Sequence, residues 1–277
     1  MLLIDAHVHI YDCFDLEKFF DSAYVNFKSA AEQLGHGNDF TGILLLAETS
    51  KDNWFNHLAD YADGKDLPDG KDTGNWTFHF TNENYSLIAK FGDLKYLILI
   101  AGRQIVTEEG IEVLALCTSS SFNDGKPILD LIREIEEKDC LPAIPWGVGK
   151  WFGNRGRIVK NIINNNTSLI YLGDNRNRPN FWLQPTLFRL AKQKGIGVLP
   201  GSDPLPFNSE SCRAGSYGFS TKLLIDPKRP GRLIRHILRD VDDTVESQFG
   251  RLENNYRFLL NQMRMQIAKR HPKTTHD

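Results

Sequence analysis

The sequence has no apolar run near the roughly 20 residues that a membrane crossing needs, and its first residues lack a basic stretch leading to a small-residue cleavage site. Neither a membrane partner nor an export signal is expected, and the reading is of a cytoplasmic protein. Cysteine is scarce: Cys13, Cys117, Cys140 and Cys212 are widely scattered. That spacing excludes a zinc knuckle and a disulfide-stapled domain, so reduced, structural thiols are expected. Neither sign of charge is in excess, with 33 Lys and Arg against 35 Asp and Glu for a net −2. No global basic field invites a polyanion, and nucleic acid is not an expected partner, although the stretch from Arg264 to Lys273 is locally basic.

What is present suits a folded core. With 277 residues, 41% of them hydrophobic, the chain has material for one domain over 1–277. Short apolar runs read as strands at Leu2 to His7, Gly42 to Ala47, Trp76 to Phe80, Tyr96 to Ala101, Ile111 to Leu116, Leu141 to Pro145, Leu169 to Leu172 and Ile196 to Leu199. Helical stretches lie at Asp15 to Leu34, Pro127 to Lys138, Arg155 to Asn164, Gln184 to Lys194 and Arg229 to Arg239, with a last helix from about Gln248 to Ala268. Strands alternating with helices predict an α/β, TIM-like barrel of parallel strands with additional C-terminal helices. Residues 248–277 form the C-terminal helix and basic tail; Phe249, Leu252, Tyr256, Leu259, Leu260 and Met263 recur there at helical spacing, which predicts packing against the barrel, while Met263 and Met265 leave a homo-oligomer open.

The first strand ends in Asp5-Ala6-His7-Val8-His9. Side chains alternate along a strand, so His7 and His9 share a side. Two imidazoles there can grip one divalent ion, and active sites of such barrels lie at the C-terminal strand ends; the competing reading is a pair of hydrogen-bonded structural histidines. Other strand ends deliver Arg103, Gln104, Glu112, Lys150, Asp174 and Asp203. Asp203 can bind a metal or take a proton from a water the metal acidifies, or it can be only a turn opener before Pro204. The glycine-rich segment Gly147 to Gly153 with Lys150, and the loop Gly173 to Pro179 with Arg176 and Arg178, suit an anion, because backbone amides and guanidinium forks bind phosphate or carboxylate.

Four stretches resemble the polymerase and histidinol phosphatase (PHP) superfamily: Asp5 to His9, Ala101 to Thr107 with Gly110 to Val113, Pro142 to Gly147, and Gly201 to Pro204. The resemblance covers roughly the first 205 residues and implies a metal-dependent phosphoesterase on a distorted α/β barrel. It implies His7 and His9 as metal ligands. Where family members carry a glutamate ligand, this chain has Gln104; where they carry a histidine before proline, it has Ile144; where they close with Asp-x-His, it has Asp203-Pro204-Leu205. A full trinuclear set is thus not expected, and a smaller site would draw on His7, His9, Asp203 and either Glu112 or His79.

The expected function is therefore hydrolysis of a small anionic substrate, a phosphate ester, with a divalent zinc, manganese or iron ion as cofactor. His7, His9, Asp203, Glu112 and His79 are the candidate metal ligands, Asp203 and Glu112 the candidate catalytic groups, and Arg103, Gln104, Lys150, Arg176 and Arg178 the candidate substrate contacts. The alternative is a catalytically silent relative whose metal site is dismantled and whose basic loops bind an anion or partner.

Overall fold

The computed structural model describes residues 1–93, 95–165, 168–182, 184–239 and 247–270, and within them helices and strands sort into layers. The order is β1 (Leu2–Val8), α1 (Leu16–Gln33), β2 (Thr41–Leu46), α2 (Trp54–Ala62), β3 (Trp76–Phe80), β4 (Ser86–Phe91), β5 (Lys95–Ile100), β6 (Gly102–Val106) and β7 (Glu112–Leu116). There follow α3 (Ile128–Glu137), β8 (Leu141–Pro145), α4 (Gly153–Asn164), β9 (Tyr171–Asn175), α5 (Thr186–Gln193), β10 (Val198–Gly201), β11 (Tyr217–Thr221), α6 (Pro230–Arg239), β12 (Ser247–Gly250) and α7 (Asn255–Arg270). The fold class is α/β, but the expected barrel does not form. A seven-stranded sheet runs β12-β11-β1-β2-β5-β4-β3 and a five-stranded sheet runs β10-β9-β8-β7-β6. Both are mixed.

Chain reach explains the correction. Parallel neighbours need a crossover of about a dozen residues or more, whereas only residues 81–85 separate β3 from β4 and only 107–111 separate β6 from β7. These pairs fold back as antiparallel hairpins. The strands β4, β6, β11 and β12 and the helix α2 escape a periodicity reading because each is short or only half apolar. The parallel character survives in β1-β2-β5 and β8-β9-β10, whose C-terminal ends come together.

The core has three parts. Residues of β1, β2 and β5 meet those of β7, β8, β9 and β10 between the sheets, with Ile4, Ile43, Ile98, Leu114, Leu141 and Leu199 all buried. Outside the first sheet, α1 packs Phe19, Phe20, Ala23 and Phe27; Asp15 caps its start, accepting from Lys18 N at 3.0 Å, as an N-cap carboxylate does. Outside the second sheet, α3 packs the expected face Ile128, Leu131, Ile132 and Ile135.

The sheets touch along two seams, each with a glycine. A side chain on Gly201 would meet His7 N at 2.5 Å, and one on Gly102 would strike the Leu46 carbonyl. Only a residue without Cβ permits that approach. Backbone bonds close both seams: Asp203 N donates to His7 O at 2.8 Å, and Gln104 N donates to Glu48 O at 2.8 Å.

One further correction concerns α7. Its Tyr256, Leu259, Leu260 and Met263, expected to pack inward, are 78%, 58%, 40% and 64% exposed. The segment before it is the strand β12 rather than helix, and the tail at 271–277 lies outside the described residues.

Candidate functional site

The seam between β1 and β10 is where the polar chemistry collects. All seven residues of β1 are buried, and its pairing with β2 shifts register between Asp5 and Val8, so the strand is bent where the histidines begin. His7 Nε2 lies 3.0 Å from His9 Nε2 and 3.2 Å from Gln104 Oε1. Asp203 Oδ1 stands 3.6 Å from both imidazole nitrogens. His9 stacks on Tyr11 with ring centroids 5.4 Å apart.

Asp203 is held in an uncommon conformation, with φ of 45°, a region that non-glycine residues visit rarely and most often at functional sites. Three neighbours fix it there. Its N–H bonds His7 O, Asn177 Nδ2 donates to its carbonyl at 2.5 Å, and Asn175 Nδ2 donates to Oδ2 at 2.8 Å. Asp5 braces the same loop from below: its carboxylate accepts from Ser202 N and Gly215 N, both at 2.8 Å, and from His7 N at 3.3 Å.

Burial dominates the electrostatics. It pushes His7 down to about 4 and His9 down to about 3, the latter helped by the neighbouring His7. Both rings are therefore neutral near pH 7, each with a lone pair to offer. Burial raises the Asp203 carboxyl, opposed by His9 and Lys150, and lifts Asp5 to about 7 against the N–H donors that hold it.

Donor atoms of His7, His9 and Asp203 all lie within 4.8 Å of one another. Nitrogen atoms 3.0 Å apart fall within twice the nitrogen–metal bond of about 2 Å, so this donor set fits a divalent ion. The fit stops at the first layer: Nδ1 of both rings is buried without a hydrogen-bond partner among the described residues.

Beside these residues opens a cavity of about 180 Å³ lined by His7, Glu112, Trp146, Lys150, Asn175, Asn177 and Asp203 and, from α7, Phe258, Asn261 and Met265. Glu112 and Lys150 face each other there as an ion pair. Of the expected site residues, the structure thus brings together His7, His9, Asp203, Gln104, Glu112 and Lys150.

The others are elsewhere. His79 lies exposed on β3, its ring against Thr77 Oγ1 at 3.2 Å, because β3 is the far edge of the larger sheet. Arg103 pairs with buried Glu48 at 3.1 Å and lines a separate cavity with Asp52 and Phe122. Arg178 donates two hydrogen bonds to the Asp174 carboxylate, at 2.8 and 2.7 Å, and Arg176 donates to Ser216 Oγ at 2.5 Å and Arg251 O at 3.2 Å. Both arginines are thus turned into the protein. The asparagines between and beside them, Asn175 and Asn177, are the residues that reach the site. Strand alternation offered that reading, since Asp174 and Asn175 must point oppositely.

No protein-family model matches the sequence, and no curated protein matches it. Solved structures share the fold. PsfC from Pseudomonas syringae PB-5123 superposes with a TM-score of 0.52 at 10% identity, over 96% of this chain and 98% of that one. The lesion-specific endonuclease PfuEndoQ from Pyrococcus furiosus superposes with a TM-score of 0.53 at 11% identity, over 90% of this chain and 58% of that one. The chain thus spans little more than half of the endonuclease's length. At such identities the likeness is one of fold alone. Because one neighbour is an endonuclease, this fold gives no support to the expectation that nucleic acid is not a partner. No described helix is long and apolar enough to cross a membrane.

Proposed function

We propose that the chain is a metal-dependent hydrolase of a small phosphate ester, a divergent relative of the polymerase and histidinol phosphatase superfamily. The observation that carries this reading is the convergence of His7 Nε2, His9 Nε2 and Asp203 Oδ1 within 4.8 Å, both rings kept neutral by burial. His7, His9 and Asp203 would hold a zinc, manganese or iron ion, with Gln104 Oε1 alongside as a neutral oxygen. When bound, such an ion polarises a phosphoryl oxygen and lowers the pKa of water toward neutrality.

The remaining work falls to the chain's own groups. Lys150 neutralises phosphate charge at the cavity wall, where a cation is worth more than in bulk water. Glu112 is freed from Lys150 as the phosphate takes the ammonium, and its carboxylate then accepts the proton of the attacking water. Asn175 fixes Oδ2 of Asp203 so that Oδ1 faces the histidines. Trp146 and Phe258, both buried, keep bulk water from the reacting groups.

Metal analysis tests the reading. About one zinc, manganese or iron per chain, lost together with phenyl phosphate hydrolysis in the His7→Ala, His9→Ala double variant, is the expected result. A parent chain that takes up no ion even with manganese or zinc supplied defeats it. A second reading, a silent binding protein, is favoured by the unpartnered Nδ1 atoms of both histidines, since metal-bound imidazoles almost always donate through the other nitrogen. That reading expects no ion in either chain.

A further inference from the structure

The helix α7 buries Phe258 but leaves most of its apolar residues on the outside. A helix that only packs puts its apolar stripe inward and its polar residues in water, yet α7 exposes Tyr256, Leu259, Met263 and Ile267 while burying Asn261. Asn261 lines the cavity beside His7 and Asp203, and its Nδ2 is buried with no partner among the described residues. Burying an amide without a hydrogen bond costs stability, so packing alone does not account for it there.

Two more amides on the same cavity wall are in the same condition. Asn175 and Asn177 each spend Nδ2 on acceptors, the Trp146 carbonyl and the Asp203 carboxylate for one and the Asp203 carbonyl for the other. Those acceptors fix the orientation of both amides. Their Oδ1 atoms are buried and unpartnered. Three residues that line the cavity thus carry two buried oxygens that only accept and one buried amide nitrogen that only donates. Amide oxygens repel a phosphate, which belongs on the Lys150 side. They suit hydroxyl groups, each of which both donates and accepts.

Size narrows the ligand further. At about 180 Å³ the cavity is below the 300 to 1,000 Å³ typical of drug-sized ligands, and it suits a small hydroxylated unit lying against Trp146 and Phe258. The base of α7 is pinned: buried Arg213 pairs with Glu210 and Glu253, and Arg257 pairs with Glu210 at 2.9 Å. These ion pairs tie the start of α7 to the segment at 210–213.

We propose that Asn261 on α7, with Asn175 and Asn177, recognises the hydroxyl groups of a small polyol or sugar phosphate, making α7 the specificity element of the site. This rests on the phosphoesterase reading for the reacting phosphate, while the amide wall acts on the part of the substrate that does not react.

The test compares ribose 5-phosphate with phenyl phosphate, which has no hydroxyls, in manganese-supplied parent, Asn261→Ala and the near-isosteric Asn261→Asp. Loss of one hydrogen bond should lower the ratio of kcat/KM for ribose 5-phosphate over phenyl phosphate about fivefold to tenfold in both variants, chiefly through KM. A ratio unchanged in both, or no preference for ribose 5-phosphate in the parent, overturns the proposal. Turnover of neither compound by the parent defeats the phosphoesterase reading instead. Calorimetry then decides the specificity: tighter binding of ribose 5-phosphate than of phenyl phosphate, weakened in Asn261→Asp, upholds it, and equal or absent binding of the two overturns it.

Discussion

Asp174 and Asn175 are consecutive residues at the end of β9, and they lead opposite lives. Asp174 faces Arg178 and Tyr217, whose hydroxyl donates to it at 3.0 Å, in a cluster where the charges answer each other. Asn175 faces the seam, holds Asp203, and leaves its oxygen unpartnered. One cluster has spent its hydrogen-bonding capacity on the fold; the other keeps some in reserve. A charged residue at a strand end is available to a ligand only where its neighbours leave it unsatisfied, and the sharpest tests remove members of each cluster in turn.

The largest effect belongs to the spent cluster. Arg178→Ala leaves Asp174 buried and unpaired, which costs about 3 to 5 kcal/mol, read as a lower urea midpoint with unchanged slope. Metal content should not move. A small loss of stability accompanied by loss of an anionic ligand would return Arg178 to the site and erase the contrast.

The unspent cluster should behave differently with pH. In the fold His7 and His9 stay neutral down to about 4 and about 3, whereas unfolded histidines protonate below about 6.5. Between those values the unfolded chain binds more protons, so stability is full above pH 6.5 and falls as pH drops. The loss comes to about 2 kcal/mol per histidine between pH 7 and pH 5. Chelator-treated parent should show this fall relative to the His7→Ala, His9→Ala variant. Asp5, raised to about 7, works with the opposite sign, but it is present in both chains and cancels. Parallel pH curves for parent and variant would mean that the imidazoles are not desolvated.

Asp5 joins the two clusters' logic. It is fully buried and spent on three N–H groups, yet what it holds is the Ser202-Asp203 turn. Asp5→Asn swaps an accepting oxygen for a donor against a backbone N–H and should cost about 2 kcal/mol. Unlike Arg178→Ala it should also weaken metal uptake by loosening Asp203. Full metal affinity in this variant would show that Asp203 keeps its geometry without the brace.

Much of this was legible in the residues. Alternation along Leu2 to His9 placed His7 and His9 on one side of the strand, and the strand-end rule brought Asp203 and Lys150 beside them; Glu112 and Gln104 arrive from the start of β7 and the middle of β6. That the barrel does not form was not legible, because Phe78-His79-Phe80 and Ser86 to Phe91 give no sign in their apolar content that the chain turns back within a few residues. Arg176 turns away from the site for a related reason, since its partners Ser216 and the Arg251 carbonyl are distant in sequence; Arg178 is held by Asp174 and the Trp182 carbonyl, each four residues away. Asn261 was invisible, since an asparagine in a helix signals neither burial nor a ligand until the opposite face is seen to be apolar.

The smallest effect repeats the contrast within one helix. Leu259 and Met263 look like core residues by spacing, but they stand on the solvent side of α7 while Asn261 is buried on the cavity side. Leu259→Ser and Met263→Ser should each change stability by less than about 0.5 kcal/mol, as substitutions at exposed positions do, and should leave the ribose 5-phosphate preference where the parent has it. Serine at a truly buried position would remove transfer free energy and leave a cavity, costing several times more. A urea midpoint that falls substantially for either variant would mean that this face of α7 is covered in solution and that its apolar stripe does pack, in which case the inward placement of Asn261 loses the exposed apolar face that sets it apart.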